Sequence, residues 1–231
     1  ALASLANAAA ATGQLEWARP PHAGNYNNYP QDTDFFTGSF LSGQGRFFLD
    51  WYSSALKAHG TELLARARQA LGSQVRIAGK VSGVHWWYGT HSHAAELTAG
   101  YYNTNGHNAY AELADVFKAA GATFDFTCME MRNSDSRCRS RPEDLVQQVL
   151  VAGEEKAVPV SGENALQRYD DDAYAKMLQY KGRIAALTYL RLTPELLEPA
   201  NLARFRNFVG RMRSAGPHRR LLGSHTEPVL V

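Results

Sequence analysis

The side chains best suited to chemistry stand in four short clusters: His85-Trp86-Trp87-Tyr88, Thr127-Cys128-Met129-Glu130-Met131-Arg132, Glu163-Asn164 and Arg191. Carboxylates are the strongest candidates among them. Hydrolysis of a glycosidic bond needs two carboxyl groups flanking it, about 6.5–9.5 Å apart for inversion and about 5–5.5 Å for retention. Glu163 and Glu130 are the carboxylates placed for such work. The adjacent Trp86 and Trp87 have two readings, as core anchors or as a platform on which the C–H face of a sugar stacks. His85 by itself also reads as a satisfied structural histidine. His91-x-His93 with Glu96 mimics a metal site, but the spacing equally fits a helix N-terminus and no third histidine-type ligand accompanies it. Ser161-Gly162-Glu163 is not a nucleophile elbow, which needs G-x-S-x-G.

Each cluster directly follows a stretch that reads as a strand. Residues 75–81, 123–127, 157–161 and 184–190 are short and β-branched or alternating. Helical spacing falls between them. One helix is expected over 46–71, where Gly60 should bend or split it. Others are expected over 92–100 and 107–120, with Tyr110, Leu113, Val116 and Phe117 on one face. Pro142 opens a further helix in its first turn, with Leu145, Val146, Val149 and Leu150 apolar. Residues 170–180 form another with an acidic first turn. Leu202, Phe205, Phe208, Val209 and Met212 define the last. Residues 14–50, rich in Pro, Gly and Asn, read as a long loop, and long ordered loops are usually functional or tightly packed. The tail from about Pro217 has no pattern. The order is β-α repeated four times, which argues for a parallel sheet with helices outside. No Gly-rich phosphate loop follows any strand, which counts against a dinucleotide fold. In a β/α barrel the C-terminal strand ends build the active site, and polar groups at four such ends point to a rim site. A closed barrel needs eight units; four are expected here.

Composition narrows the class. The 231 residues amount to roughly 1.5 domains of about 150 residues. A hydrophobic share of 45% and a charged share of 20% are ordinary for a globular protein. The net charge of +2 is too small for a nucleic-acid surface. No apolar run approaches the ~18–20 residues of a membrane helix. Cys128 and Cys138 cannot form a disulfide framework and fit free thiols in a reducing compartment. There is no N-x-S/T sequon. The opening ALASLANAAAATG lacks the basic region and apolar core of a signal peptide. Its Ala-rich run ending at Gly13 reads as the last turns of a helix with a Gly stop, so the sequence is expected to begin inside a domain.

Five segments carry a resemblance: GKVSGVHWWYGTHSHAAELTAGYYN (79–103), FTCMEMRNS (126–134), PEDLVQQVL (142–150), GENALQRYD (162–170) and TYLRL (188–192). In this order they resemble the β-amylases of glycoside hydrolase family 14, inverting exo-hydrolases of starch, and HWWY with SHAAELTAGYYN resembles the plant and algal type. The likeness runs from about Leu15, through EWARPPHAGNYN, to about Met212. It implies an α/β fold, a (β/α)8 TIM barrel of which this chain supplies the second half, strands five to eight. Residues 1–13 would then end the helix before strand five, 1–216 would be the partial barrel domain, and 217–231 a C-terminal tail.

Matched positions imply roles. Glu163 resembles the general base that activates water. Asn164 and Ala165 match a substrate-contacting pair, Lys80 and His85 match sugar-binding residues, and Leu166 would pack against the glucan. Thr127 matches the threonine of a mobile inner loop, and Arg191 a binding arginine. Cys128 on that loop is expected to be a sensitive thiol. Gly162 stands where the family usually has cysteine and Gln167 where it has proline, changes that bear on fine positioning. The family's general acid lies in a G-P-A-G-E-L-R-Y-P motif that does not occur here, nor does the flexible lid with its aspartate. Glu130 matches a loop glutamate and is not the acid by resemblance. The implied activity is release of β-maltose from non-reducing ends of α-1,4-glucans, with starch, amylopectin or maltooligosaccharide as substrate. No cofactor, metal, nucleic acid or membrane is implied, and the expected location is plastid or cytoplasm rather than secreted. The alternative is a non-catalytic relative of β-amylase that binds glucan or regulates.

Overall fold

The computed structural model describes residues 1–25, 28–134 and 138–214; the patternless tail expected from Pro217 lies outside the described residues. Helix α1 (Leu2–Ala11) stops just before Gly13, whose φ of 76° only glycine adopts without strain. Residues 14–50 are less loop-like than their composition predicts. They contain short 3-10 turns at Leu15–Ala18, Pro30–Asp32 and Ser39–Leu41, and one turn of helix, α2 (Asp34–Thr37). Phe35, Phe40 and Leu49 bury with Leu97 and Tyr102 in a small second core that holds this segment down.

Helix α3 (Gly43–Leu71) begins where the Ser42 hydroxyl accepts from the Gly45 N–H. It runs unbroken through Gly60, so the helix is not split there, and a side chain at that position would meet only Val116 at 3.8 Å. The remaining elements follow in order: β1 (Ala78–Val81), α4 (Ala94–Thr98), α5 (Ala109–Ala120), β2 (Thr123–Phe126), α6 (Pro142–Lys156), β3 (Val160–Glu163), α7 (Asp171–Leu178), β4 (Ala186–Thr188), α8 (Pro194–Leu197) and α9 (Pro199–Arg213).

The four strands form one parallel sheet in the order β1-β2-β3-β4, as the β-α alternation predicts. Strand boundaries moved for identifiable reasons. The carbonyl of Val75 is taken by the Arg68 guanidinium at 2.7 Å, which ties the residues after α3 to the helix and delays β1 to Ala78. Ala157 caps α6 in the left-handed conformation and Val158 N–H closes onto the Gly153 carbonyl at 2.8 Å. Those two residues are therefore helix cap, and β3 starts at Val160 rather than at 157. Glu163, expected just beyond the strand, is its last residue.

The register sorts side chains onto two faces, because successive residues in a strand point to opposite sides. One face carries Gly79, Val81, Phe124, Phe126, Val160, Gly162 and Leu187. It packs under α5 and α6 in the main core, where Phe117 stacks on Phe124 at 4.8 Å. Gly79 permits that approach, since a Cβ there would lie 2.6 Å from the Phe117 ring. The other face carries Ala78, Lys80, Thr123, Asp125, Ser161, Glu163, Ala186 and Thr188. A parallel sheet normally buries both faces in apolar residues, so a face this polar is a candidate site.

Candidate active site

Glu163 ends β3 opposite Thr188 of β4 and is 6% exposed. Its carboxylate pairs with the Lys80 ammonium from β1, two strands away. A buried carboxylate without such a partner would be strongly destabilised in its charged form; the half-exposed Lys80 supplies the opposite charge. Between them on the same face, the Ser161 hydroxyl donates to Asp125 at 2.5 Å. Asp125 and Ser161 escaped the sequence reading, although the period-two spacing of Thr123-Phe124-Asp125-Phe126 and Ser161-Gly162-Glu163 carried the signal.

The segment after Glu163 is held from both sides. The Asn164 side-chain oxygen accepts from Leu190 N–H at 2.6 Å, while its amide donates to the carbonyls of Leu166, at 2.9 Å, and Leu190. Asn164 thus acts as a bracket between the ends of β3 and β4, and it sets the backbone from which the exposed Arg191 projects. Ala165 and Leu166 beyond it are exposed. Their N–H groups donate to the Glu130 carboxylate at 2.9 and 2.5 Å.

The loop after β1 is zipped to residues 138–141: Trp87 N–H donates to the Cys138 carbonyl at 2.7 Å, and Arg141 N–H to the His85 carbonyl at 3.0 Å. His85 Nδ1 lies 2.7 Å from the Ser140 hydroxyl, and burial pushes its pKa below the usual value, so the ring is neutral at pH 7. The two readings of the tryptophans divide between them. Trp87 is half-buried and meets Tyr29 edge-on at 5.8 Å, an anchor. Trp86 is 45% exposed and stands perpendicular to His85, which leaves the platform reading to it. Thr127 follows β2 and approaches the first loop closely, because a Cβ on Gly83 would lie 3.0 Å from its methyl.

Cys128 corrects an expectation. It is 1% exposed, and burial with the neighbouring Glu130 charge pushes its pKa up; both count against the expected sensitivity. His91 meets the Phe40 ring edge-on and His93 Nδ1 lies 2.5 Å from Glu96. Among the described residues no group of three or more His, Cys, Asp or Glu could hold a metal ion, and no helix is long and apolar enough to cross a membrane.

Gly162 has a local consequence. On the core face a Cβ there would lie 2.8 Å from Met129 Cε and 2.9 Å from Met129 Cγ, so Met129 occupies the volume of the missing side chain. Gly162→Cys should therefore cost about 1–3 kcal/mol by overpacking, and adding Met129→Ala should recover part of it. Thermal unfolding of wild type and the two variants is the check; an unchanged midpoint in Gly162→Cys would refute the fit.

Parallel strands alternating with helices make this an α/β protein, with an ion-paired carboxylate where the third strand ends. Comparison with known proteins carries this further. The chain belongs to glycosyl hydrolase family 14, whose model matches residues 2–218. It is 45% identical over 224 residues to the beta-amylase of Vigna unguiculata, covering 90% of this chain and 45% of that protein. It is also 45% identical to the chloroplastic beta-amylase 2 of rice, Oryza sativa subsp. japonica, covering 93% of this chain and 41% of that one. In structure it resembles the catalytic domain of beta-amylase from Paenibacillus polymyxa, with a TM-score of 0.72 and 29% identity, covering 90% of this chain and 52% of that chain. The chain therefore spans about half the length of the relatives it matches.

Proposed function

We propose that this chain carries the general-base half of an inverting starch hydrolase that releases β-maltose from the non-reducing ends of α-1,4-glucans. The observation that carries the reading is the buried Glu163 carboxylate at the end of β3, paired with Lys80. Glu163 takes a proton from water as the water oxygen bonds to the anomeric carbon, on the face opposite the leaving group. A general acid gives its proton to the departing glycosidic oxygen, so charge balances and the configuration inverts. That acid belongs to residues outside this sequence, in a barrel whose strands five to eight are the four present, with 1–216 as the domain and 217–231 as a tail. Lys80, His85, Thr127, Asn164, Ala165 and Arg191 bind the glucan around Glu163, and the exposed Trp86 and Leu166 face its apolar surfaces. Asn164 does so from a backbone its own side chain fixes. The reading uses no metal or cofactor and places the protein in plastid or cytoplasm rather than outside the cell; rice relatives described as chloroplastic support the plastid.

A second reading, a non-catalytic glucan-binding or regulatory protein, draws on the engagement of two other carboxylates near the strand ends. Glu130 is held by backbone N–H groups and Asp125 by Ser161. Proton NMR of freshly formed product decides between them. The full-length gene product should release maltose whose first-formed anomer is β, and the 231-residue chain expressed by itself should release none. An α-anomer, or maltose release by the short chain at the full rate, would defeat the first reading.

A further inference from the structure

We infer that Glu130 is a positioning residue: its carboxylate clamps the segment that follows the base and yokes it to the loop that carries Thr127. The inference rests on the reading of Glu163 as general base. Glu130 is 0% exposed, and both its oxygens are used, one on Ala165 N–H at 2.9 Å and the other on Leu166 N–H at 2.5 Å. One residue earlier the bonding runs the opposite way along the same junction. Met129 N–H donates to the Glu163 carbonyl at 3.2 Å, and the Met129 side chain fills the space over Gly162. Three hydrogen bonds and one apolar contact thus join residues 129–130 to residues 162–166. The loop itself turns sharply at this junction: Cys128 has a φ of 62° and Met131 N–H donates to the Cys128 carbonyl at 3.1 Å.

A carboxylate is the group this junction needs. Both partners are donors, and a carboxylate offers an acceptor to each, whereas an amide offers one acceptor and presents a second donor. Bonds from backbone N–H to an ionised acceptor are also the stronger kind. The same engagement sets Glu130 apart from proton transfer, since both oxygens are taken by backbone N–H groups and the residue is 0% exposed. Its effect on catalysis is geometric. The backbone of Glu163 is gripped through its carbonyl, and Ala165 and Leu166 through their N–H groups, so all three move when the clamp slips. A misplacement of about 1 Å can cost about 10²-fold in rate.

The test uses the full-length gene product and a maltooligosaccharide substrate, with kcat, KM, the pH profile and the thermal midpoint measured for Glu130→Gln and Glu130→Asp. Glu130→Gln keeps size but turns one acceptor into a donor. In the folded variant kcat/KM should fall about 10–10²-fold, with KM raised as Ala165 and Leu166 shift, and with both limbs of the pH profile where wild type has them. Glu130→Asp keeps both acceptors on a shorter stem and should show the same pattern to a lesser degree. It carries the test if the amide variant does not fold. Wild-type kcat/KM in either folded variant would overturn the inference, because a merely structural contact changes the melting point alone. Loss of one pH limb would overturn it too, by making Glu130 a proton-transfer group. Glu163→Gln, measured in parallel, separates the two readings: it should lower kcat with KM kept, and its failure would strike the base assignment and not the clamp.

Discussion

Replacing Glu163 by glutamine in the full-length gene product should lower kcat by about 10²–10⁴-fold, the usual contribution of a general base, while maltose and glucan still bind. Glutamine has nearly the same shape, and its side-chain oxygen still accepts from Lys80, the present partner of the carboxylate. It has no basicity with which to take a proton from the attacking water. In the proposed reading, binding is left to groups that do not depend on that charge, among them Trp86, Ala165 and Leu166, all exposed. The measurement is steady-state hydrolysis beside calorimetric titration with maltose. A variant that keeps more than about a tenth of the wild-type kcat, against the expected loss, would remove Glu163 from the role. Asp125 would then be the next candidate, because it shares the polar face, whereas Glu130 is locked against backbone.

Replacing Glu96 by alanine should lower the thermal midpoint by about 10 °C. Glu96 is fully buried and gathers His93 Nδ1 at 2.5 Å, the Tyr110 hydroxyl at 2.6 Å and the Asn103 amide at 3.2 Å. Asn103 continues to Gln148 of α6, and Gln148 to Asn108, which caps α5, and to Tyr88. The network therefore fastens the loop behind Trp86 to three helices. Burial and the Glu96 charge hold the Tyr110 phenol protonated, as its role of donor requires. Removing the acceptor strands those donors away from water, and breaking a buried charged network from one side costs about 3–5 kcal/mol. For a chain of this size 1 kcal/mol moves the midpoint by about 2–4 °C. Glu96→Gln should lose less, since it still accepts one bond. A drop of under about 2 °C in Glu96→Ala, against that expectation, would show that the network contributes little.

The elements were legible where one signal dominated. The helix from Pro142 and the strand at Thr123–Phe126 lie within a residue of expectation because proline, caps and alternation agree there. The third strand was misplaced because Ala157 and Val158 look like strand residues and serve as the closing turn of α6. The long loop was overstated because Pro, Gly and Asn mark turns, and a 3-10 turn uses the same residues as irregular chain. Trp86 and Trp87 could not be told apart, since burial depends on what packs from elsewhere, here Tyr29. Cys128 was misjudged for the same reason: its neighbours in sequence suggested a cleft, and its neighbours in space bury it.

By itself the amino-acid sequence determined the alternation of strand and helix, the parallel sheet, and the placing of Glu163, His85, Thr127 and Arg191 at or just beyond strand ends. Those follow from local periodicity and from the rule that polar residues after β-strands collect on one rim. Tertiary structure alone decided which of them touch. Lys80 reaches Glu163 because β1, β2 and β3 stand in a register that puts both on one face, a relation between residues 83 positions apart. Two glutamates of the same type, Glu130 and Glu163, received opposite parts for a physical reason: one carboxylate meets backbone N–H groups in the interior, the other a lysine at the open polar face.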